Sequence, residues 1–303
     1  MKKVCIALLL FFISATAVGC GRKTAVGVCV RHGERETTVA LESGLKEDLQ
    51  AAGYKVITHD AASDQSRQNG QIAKLVEEGC DLIIVEPVMT AAAEEILKIT
   101  RNADVPVIFL NYAPEESVLD GWENAYYIGS DLTQPGNLQG QLVLQLPDGG
   151  DRNGDGSVMC TVIAGPEDHQ DATRWSEDCS ADFVCLKIDH GDWSRDSGRK
   201  LCRRRLTAFD DSVDVIFCNS DKLALGALEA LQSEEKEVYL VGIGGDSEAL
   251  ARIREGTMTG TVCENIPALS SCITQTVEAI LRDETPQKRQ LLDFVIVTKD
   301  NLQ

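Results

Sequence analysis

Oxygen-bearing side chains stand at alternate positions, Asp151, Asn153 and Asp155, in the run Asp151-Arg152-Asn153-Gly154-Asp155-Gly156-Ser157-Val158-Met159. Glycines at 154 and 156 let the backbone turn where a Cβ would strain it. A loop curled that tightly points several oxygens at one centre, which suits a hard cation such as Ca²⁺. The start of the run fits the calcium-loop pattern D-x-[DN]-x-[DN]-G, and Ser157 takes the place where such loops offer a backbone carbonyl. The second half departs from it. Met159 replaces the next oxygen ligand, and Val162 stands where a bidentate glutamate closes the loop. Half a calcium site is encoded locally, and its closing carboxylate has to come from elsewhere. A polar turn holding no metal is the competing reading, because turns favour the same residues.

Other chemistry is sparse. Glu34 and Glu36 are two carboxylates of the kind a glycosidase pairs as acid and nucleophile, but they read better as neighbouring loop charges. No nucleophile elbow, phosphate loop or metal-hydrolase motif occurs. Binding without catalysis is the expectation.

The chain is 303 residues long, 43% hydrophobic and 25% charged, enough for two packed lobes and without the bias of disorder. Its net charge of -19 argues against nucleic acid and against adsorption on anionic lipid. Lys2-Lys3, an apolar run from Val4 to Ile13 and then small residues up to Gly19 form a signal peptide over 1–19, too short to span a bilayer comfortably. Cys20, after Ala17-Val18-Gly19, resembles a bacterial lipoprotein box, in which the cysteine is lipidated and tethers an exported domain to the outer face of the membrane. Apart from Cys5 and Cys20, the cysteines at 29, 80, 160, 179, 185, 202, 218, 263 and 272 are odd in number and show no CxxC. Cys29, Cys218 and Cys263 lie in apolar runs and read as small buried hydrophobes; a Cys179–Cys185 bond is possible in principle, without support from spacing.

The elements that must position any site alternate. Apolar runs predict strands over 25–30, 54–58, 82–85 and 105–110, with helices over 38–52, near 72–76 and over 91–101. The pattern restarts after Ser130-Asp131. Helices are expected over 137–146, from about 171, and over 196–209, 222–231, 248–254 and 269–281. The matching strands are 160–164, 183–188, 213–218, 238–243 and 259–263, and one closing strand spans 291–297. Alternation of this kind means parallel sheets covered by helices on both faces, with ligands at the carboxyl ends of the strands. Residues 32–37, Glu86-Pro87 and Asn111-Tyr112 are such ends.

By Val105-Pro-Val-Ile-Phe-Leu-Asn111 and Ala125-Tyr-Tyr-Ile-Gly-Ser-Asp131 the chain resembles the periplasmic sugar-binding proteins of ABC transporters, closest to their galactose- and glucose-binding members. Gly165-Pro-Glu-Asp-His-Gln-Asp171, the run from Val213 to Asp221, Leu225 to Leu231, Gly260-Thr-Val262 and Lys299-Asp-Asn-Leu302 follow in family order. The resemblance implies a type 1 periplasmic binding protein, with two Rossmann-like lobes joined by a three-strand hinge. One lobe would hold 24–130 and 265–291, the other 131–264 and 292–303. It implies a monosaccharide like glucose or galactose between the lobes, a monomer, and ABC permease and ATPase subunits as partners. A lipoprotein sensing sugar for a chemoreceptor or sensor kinase is the alternative. A sugar-responsive repressor is disfavoured by the signal peptide.

The resemblance also assigns residues. It closes the calcium loop with Asp214, shorter than the family's glutamate, so that Asp151, Asn153, Asp155, Ser157 and Asp214 would hold a weakened Ca²⁺. Sugar would meet Asn111, His169, Asp171 and a stacking Trp193. The family's arginine after that aspartate falls on Trp175, with Arg174 one residue earlier, so either a shift brings Arg174 in or stacking replaces it. Departures stand at Arg35 for an aspartate, Ser220 for an asparagine, Gly244 for an aspartate with Asp246 two residues on, and Glu264 for an asparagine with Asn265 beside it. An added arginine and glutamate would favour altered hydroxyl geometry or a charged ligand.

Overall fold

The computed structural model describes residues 22–31, 36–167 and 182–302. Cys20, Arg35, His169, Asp171, Arg174, Trp175 and Cys179 lie outside the described residues, as does the helix expected from about 171.

The first sheet begins with β1 (Ala25–Val30), every residue of which is buried, as a strand covered on both faces requires. It continues through α1 (Glu36–Ala51), β2 (Lys55–Asp60), α2 (Gln65–Glu77), β3 (Leu82–Val85), α3 (Ala93–Asn102), β4 (Val107–Leu110), α4 (Glu116–Asp120) and β5 (Ala125–Ser130). The second is built from α5 (Pro135–Leu144), β6 (Met159–Ala164), β7 (Val184–His190), α6 (Arg195–Phe209), β8 (Val215–Cys218), α7 (Asp221–Ser233), β9 (Tyr239–Ile243), α8 (Ser247–Glu255) and β10 (Gly260–Glu264). Then α9 (Ile266–Leu281) and β11 (Arg289–Leu292) return to the first sheet, and β12 (Phe294–Thr298) ends in the second.

The strand orders are β11-β5-β4-β3-β1-β2 and β12-β10-β9-β8-β6-β7. All neighbours pair parallel except β10 with β12. Each sheet is sandwiched between two apolar clusters. Ile72, Leu75 and Ile96 cover one face of the first sheet, while Leu45, Leu49, Ile273 and Val277 cover the other. Around the second sheet, Leu206, Leu228 and Ile253 lie on one side and Leu142, Val143 and Phe183 on the other. This is the type 1 two-lobed arrangement expected from the alternating pattern and the resemblance.

The chain passes between the sheets three times, after β5, after β10 and between β11 and β12. At the last passage, the run expected as one strand over 291–297 is two strands in different sheets, split at Asp293. Asp293 is the one charged residue between apolar Leu291-Leu292 and Phe294 to Val297, and a single such residue does not distinguish a change of sheet from a polar position within one strand. Gln134 joins two of the passages, its Nε2 donating to Asp293 Oδ1 at 2.6 Å and its Oε1 accepting from the Phe294 amide at 2.9 Å. Beside it, the Asp131 amide donates to the Leu292 carbonyl at 2.9 Å.

Candidate functional site

The carboxyl ends of the central strands in the first sheet gather one polar group. Asn111 follows β4 with φ 58°, the left-handed conformation that asparagine tolerates better than most residues. Its amide donates to the Ile128 carbonyl at 3.1 Å, and its own carbonyl accepts from the Tyr127 hydroxyl at 3.0 Å. With the main chain held at both groups, the side chain is aimed. Asn111 Nδ2 donates to Glu86 Oε1 at 3.2 Å, while Asn111 Oδ1 is buried and has no hydrogen-bond partner among the described residues. A buried oxygen acceptor without a donor is costly unless a ligand supplies one.

Glu86, 4% exposed at the end of β3, is the residue that orients it. Its Oε2 accepts from the Arg31 amide at 3.2 Å. Gln68 of α2 fixes the turn from behind, donating to the Glu86 carbonyl at 2.8 Å and accepting from the Val88 amide at 3.0 Å. The Arg31 guanidinium lies 4.7 Å from the Tyr112 ring centroid, adding a cation–π pair at the same edge. The sequence marks Glu86 only as a strand end. An ionisable residue directly after a four-residue apolar strand is the signal that could have promoted it.

In the second sheet, Trp193 precedes α6 and packs over Gly165 at the end of β6, so that a Cβ added at Gly165 would overlap the indole. The start of α6 is held rigidly. Arg195 pairs with Glu229 of α7 at 2.5 Å and with Glu248 of α8 at 2.7 Å. Close approach of α6 to α7 requires glycine at 198 and 226, where a Cβ would overlap the facing backbone at Leu223 and Arg195. Gln139 of α5 plays the part that Gln68 plays in the first lobe. Its Nε2 donates to the carbonyls of Cys218, Val241 and Gly242 at 3.0–3.2 Å, gathering the ends of β8 and β9.

Ser220 and Asp246 come together around Asp221, a residue that the sequence singles out only as part of a motif. Ser220 caps α7, its hydroxyl oxygen accepting from the Leu223 amide at 3.2 Å, so its first role is structural. Asp221 Oδ2 accepts from the Gly245 and Asp246 amides at 2.6 and 2.9 Å, and Oδ1 accepts from the Thr261 hydroxyl at 2.7 Å. Asp246 stands at the N-cap position of α8, and the partly buried Glu264 ends β10. Asn265, beside it, caps α9 through its side-chain oxygen.

Burial raises the Asp221 carboxyl to about 6, against the lowering effect of the Thr261 hydrogen bond. The folded state therefore holds this proton more tightly than the unfolded chain. The resulting stability is complete below the unfolded value near 3.8 and is lost as the pH rises through about 6. Asp221→Asn is expected to flatten stability against pH across that window, as read from denaturant midpoints at about pH 4 and about pH 7. An unchanged slope would show that Asp221 titrates normally.

One contact joins the strand ends of the two lobes. Glu36, opening α1 in the first lobe, accepts from the Ser247 amide at 2.7 Å and from its hydroxyl at 3.2 Å, at the start of α8 in the second. A carboxylate meeting a helix N-terminus across the cleft is favoured by the helix dipole. Glu36 thus acts as a contact between lobes rather than as part of a catalytic pair.

Residues 26–285 match the periplasmic binding protein domain. The chain belongs to the periplasmic binding protein family. It is 29% identical over 277 residues to the D-galactose/methyl-galactoside binding periplasmic protein MglB of Haemophilus influenzae, covering 85% of this chain and 84% of that one. Among solved structures, the periplasmic ribose ABC transporter protein of Conexibacter woesei superposes with a TM-score of 0.78 at 20% identity, covering 92% and 93% of the two chains. A solute binding protein of an ABC transporter from Bacillus halodurans, with bound myo-inositol, gives 0.73 at 22% identity, covering 94% and 97%. Members of this family bind solutes and do not transform them. Among the described residues of this binding protein, no helix is long and apolar enough to cross a membrane.

The Asp151 loop adopts a tight curl. Asp151 accepts from the amides of Gly154, Asp155 and Gly156 at 2.8–3.2 Å, Asn153 Oδ1 from Asp155 at 2.9 Å, and Asp155 Oδ1 from Ser157 at 3.0 Å. Asp214, 1% exposed, faces it as the resemblance implies, but both its oxygens are engaged with main chain. Oδ1 accepts from Arg152 at 3.1 Å and Oδ2 from Met159 at 2.9 Å. Among the described residues, no three Asp, Glu, His or Cys side chains converge as a metal ion would need. Calcium takes six to eight oxygens. The donor set that the resemblance names, Asp151, Asn153, Asp155, Ser157 and Asp214, is thus tied to its own main chain here, with Met159 offering no oxygen at its place.

Proposed function

We propose that this periplasmic binding protein captures a monosaccharide or related cyclic polyol between its lobes and hands it to the permease and ATPase subunits of an ABC transporter. The observation that carries the reading is Asn111 Oδ1, a buried acceptor aimed from a strand end and without a donor among the described residues. Sugar hydroxyls donate and accept, so planar amide and carboxylate groups meet them well, and a ring face stacks on an aromatic side chain. Asn111 and Glu86 supply the first kind of contact, and Trp193 the second. Three relatives carry names or ligands of related chemistry, namely D-galactose, ribose and myo-inositol.

His169, Asp171 and Arg174 would add contacts from the second lobe, with Arg35, Ser220, Asp246 and Glu264 setting which hydroxyl pattern fits. Ligand bridging both lobes would favour the closed state through population shift, and the Glu36–Ser247 contact would form part of that state. The Lys2-Lys3 start, the apolar run and Ala17-Val18-Gly19-Cys20 support export with a lipid anchor at Cys20.

A thermal-shift panel of D-glucose, D-galactose, D-ribose and myo-inositol tests the reading. At least one is expected to raise the melting temperature by several degrees at saturating concentration, as binding to the folded state alone requires. No shift with any of them, together with a shift from a charged metabolite, would overturn it.

A further inference from the structure

We propose that Cys160 and Cys185 form a reversible disulfide that staples the edge strand β7 to β6. The two residues are register partners in this parallel pair, so their side chains stand on the same face of the sheet. Neighbouring strands lie roughly 4.8 Å apart, within the Cα separation of about 4.4–6.8 Å that a disulfide spans. The pairing then slips, Thr161 opposing Lys187, which leaves Leu186 as an extra residue on β7. A bulge of this kind bends the strand and re-aims the side chains beside it.

The two thiols differ in the way a disulfide-forming pair requires. Cys160 is fully buried within the apolar cluster of Leu142, Val143 and Phe217. Cys185 is the exposed cysteine among the described residues, on the outer edge of the sheet. A hydrogen bond from Cys160 lowers the Cys185 thiol to about 7, against the raising effect of desolvation. Burial instead pushes Cys29 and Cys202 up to about 12 and Cys80 and Cys263 up to about 11. Cys185 is therefore the thiolate that attacks, and Cys160 the thiol that resolves.

The oxidant is a disulfide-bearing molecule such as oxidised glutathione. Cys185 thiolate attacks one of its sulfurs, breaking that S–S bond, releasing one thiolate and forming a mixed disulfide. Cys160 then passes its proton to the first released thiolate and attacks the Cys185 sulfur. The Cys160–Cys185 bond forms as the second thiolate leaves, so two protein thiols are oxidised and one external disulfide is reduced. The bond would close residues 161–184 into a loop, restricting the unfolded chain. That segment contains His169 and Asp171 and ends where β7 leads towards Trp193.

The full chain is equilibrated in graded mixtures of oxidised and reduced glutathione, quenched with acid, alkylated and digested without reduction. Mass spectrometry is expected to find peptides joined through Cys160 and Cys185, increasing with oxidant and disappearing with reductant. The oxidised protein should melt a few degrees higher than the reduced one. Cys185→Ser, at an exposed position that does not threaten folding, should lose both the linked peptide and the oxidation-dependent rise. Cys179→Ser should keep both. Three results would overturn the proposal: Cys185 joined to Cys179, Cys185 carrying only glutathione, or both thiols open to alkylation at every ratio.

Discussion

Replacing Asn111 by glycine is expected to weaken sugar binding by about ten- to a hundredfold, the cost of removing a hydrogen-bonding group that meets a desolvated hydroxyl. Isothermal titration with the tightest sugar of the panel measures it. Glycine is the informative substitution because Asn111 sits at φ 58°, where alanine would add backbone strain and confuse lost contact with lost folding. The free protein then loses only the donor to Glu86, so its melting temperature should fall by a few degrees while the fold is kept. Glu86→Gln tests the orientation separately. The carboxylate accepts from Asn111 Nδ2, which turns Oδ1 outward as an acceptor. A glutamine at 86 can offer its own NH₂ instead, letting the Asn111 amide flip and present a donor. Affinity should fall less than in the glycine variant, and the preference among sugars that differ at one hydroxyl should change. Unaltered affinity in both variants would remove this strand end from the site.

Much of the fold was legible because parallel strands buried on both faces read as unbroken apolar runs, as in Leu82–Val85 and Val107–Leu110. The same rule fails at the closing passage. There Leu291 through Val297 is apolar but for Asp293, which carries the chain from one sheet to the other, and only the partners of each strand reveal the break. The candidate site was legible where a motif names the residue, as at Asn111. It was not legible where burial decides the role. Glu86, Gln68, Gln139 and Asp221 are polar letters in a chain rich in them, and nothing in their spacing tells that they are buried. Gln68 and Gln139 do equivalent work in the two lobes, each reaching from a helix to hold the main chain at strand ends where ligand contacts are expected. A helix pattern assigns such residues to a solvated face, whereas long-range packing turns them inward.

Asp214→Ala is expected to destabilise the binding protein by about 2–6 kcal/mol, whereas chelation should leave its melting curve unchanged. The estimate follows from leaving two backbone donors, Arg152 N–H and Met159 N–H, without their acceptor beside a buried position, at about 1–3 kcal/mol each. In a chain of this size that is a fall in melting temperature of order 10 °C. Asp214→Asn keeps one acceptor but turns an NH₂ group towards the second amide, so it should cost nearly as much. Asp155→Ala removes a single exposed turn hydrogen bond and should cost far less. A loop organised by calcium would behave in the opposite way. Chelator would lower the melting temperature, added calcium would restore it, and Asp155→Ala would abolish the response, because the ion and not Asp214 would then set the curl. Asp214→Ala destabilises under either reading, so the response to chelator and the cost of Asp155→Ala are the outcomes that separate them. Met159 makes the first set the expected one: a thioether in the place of an oxygen removes a ligand that a hard cation needs, while costing nothing to a loop tied through its amides.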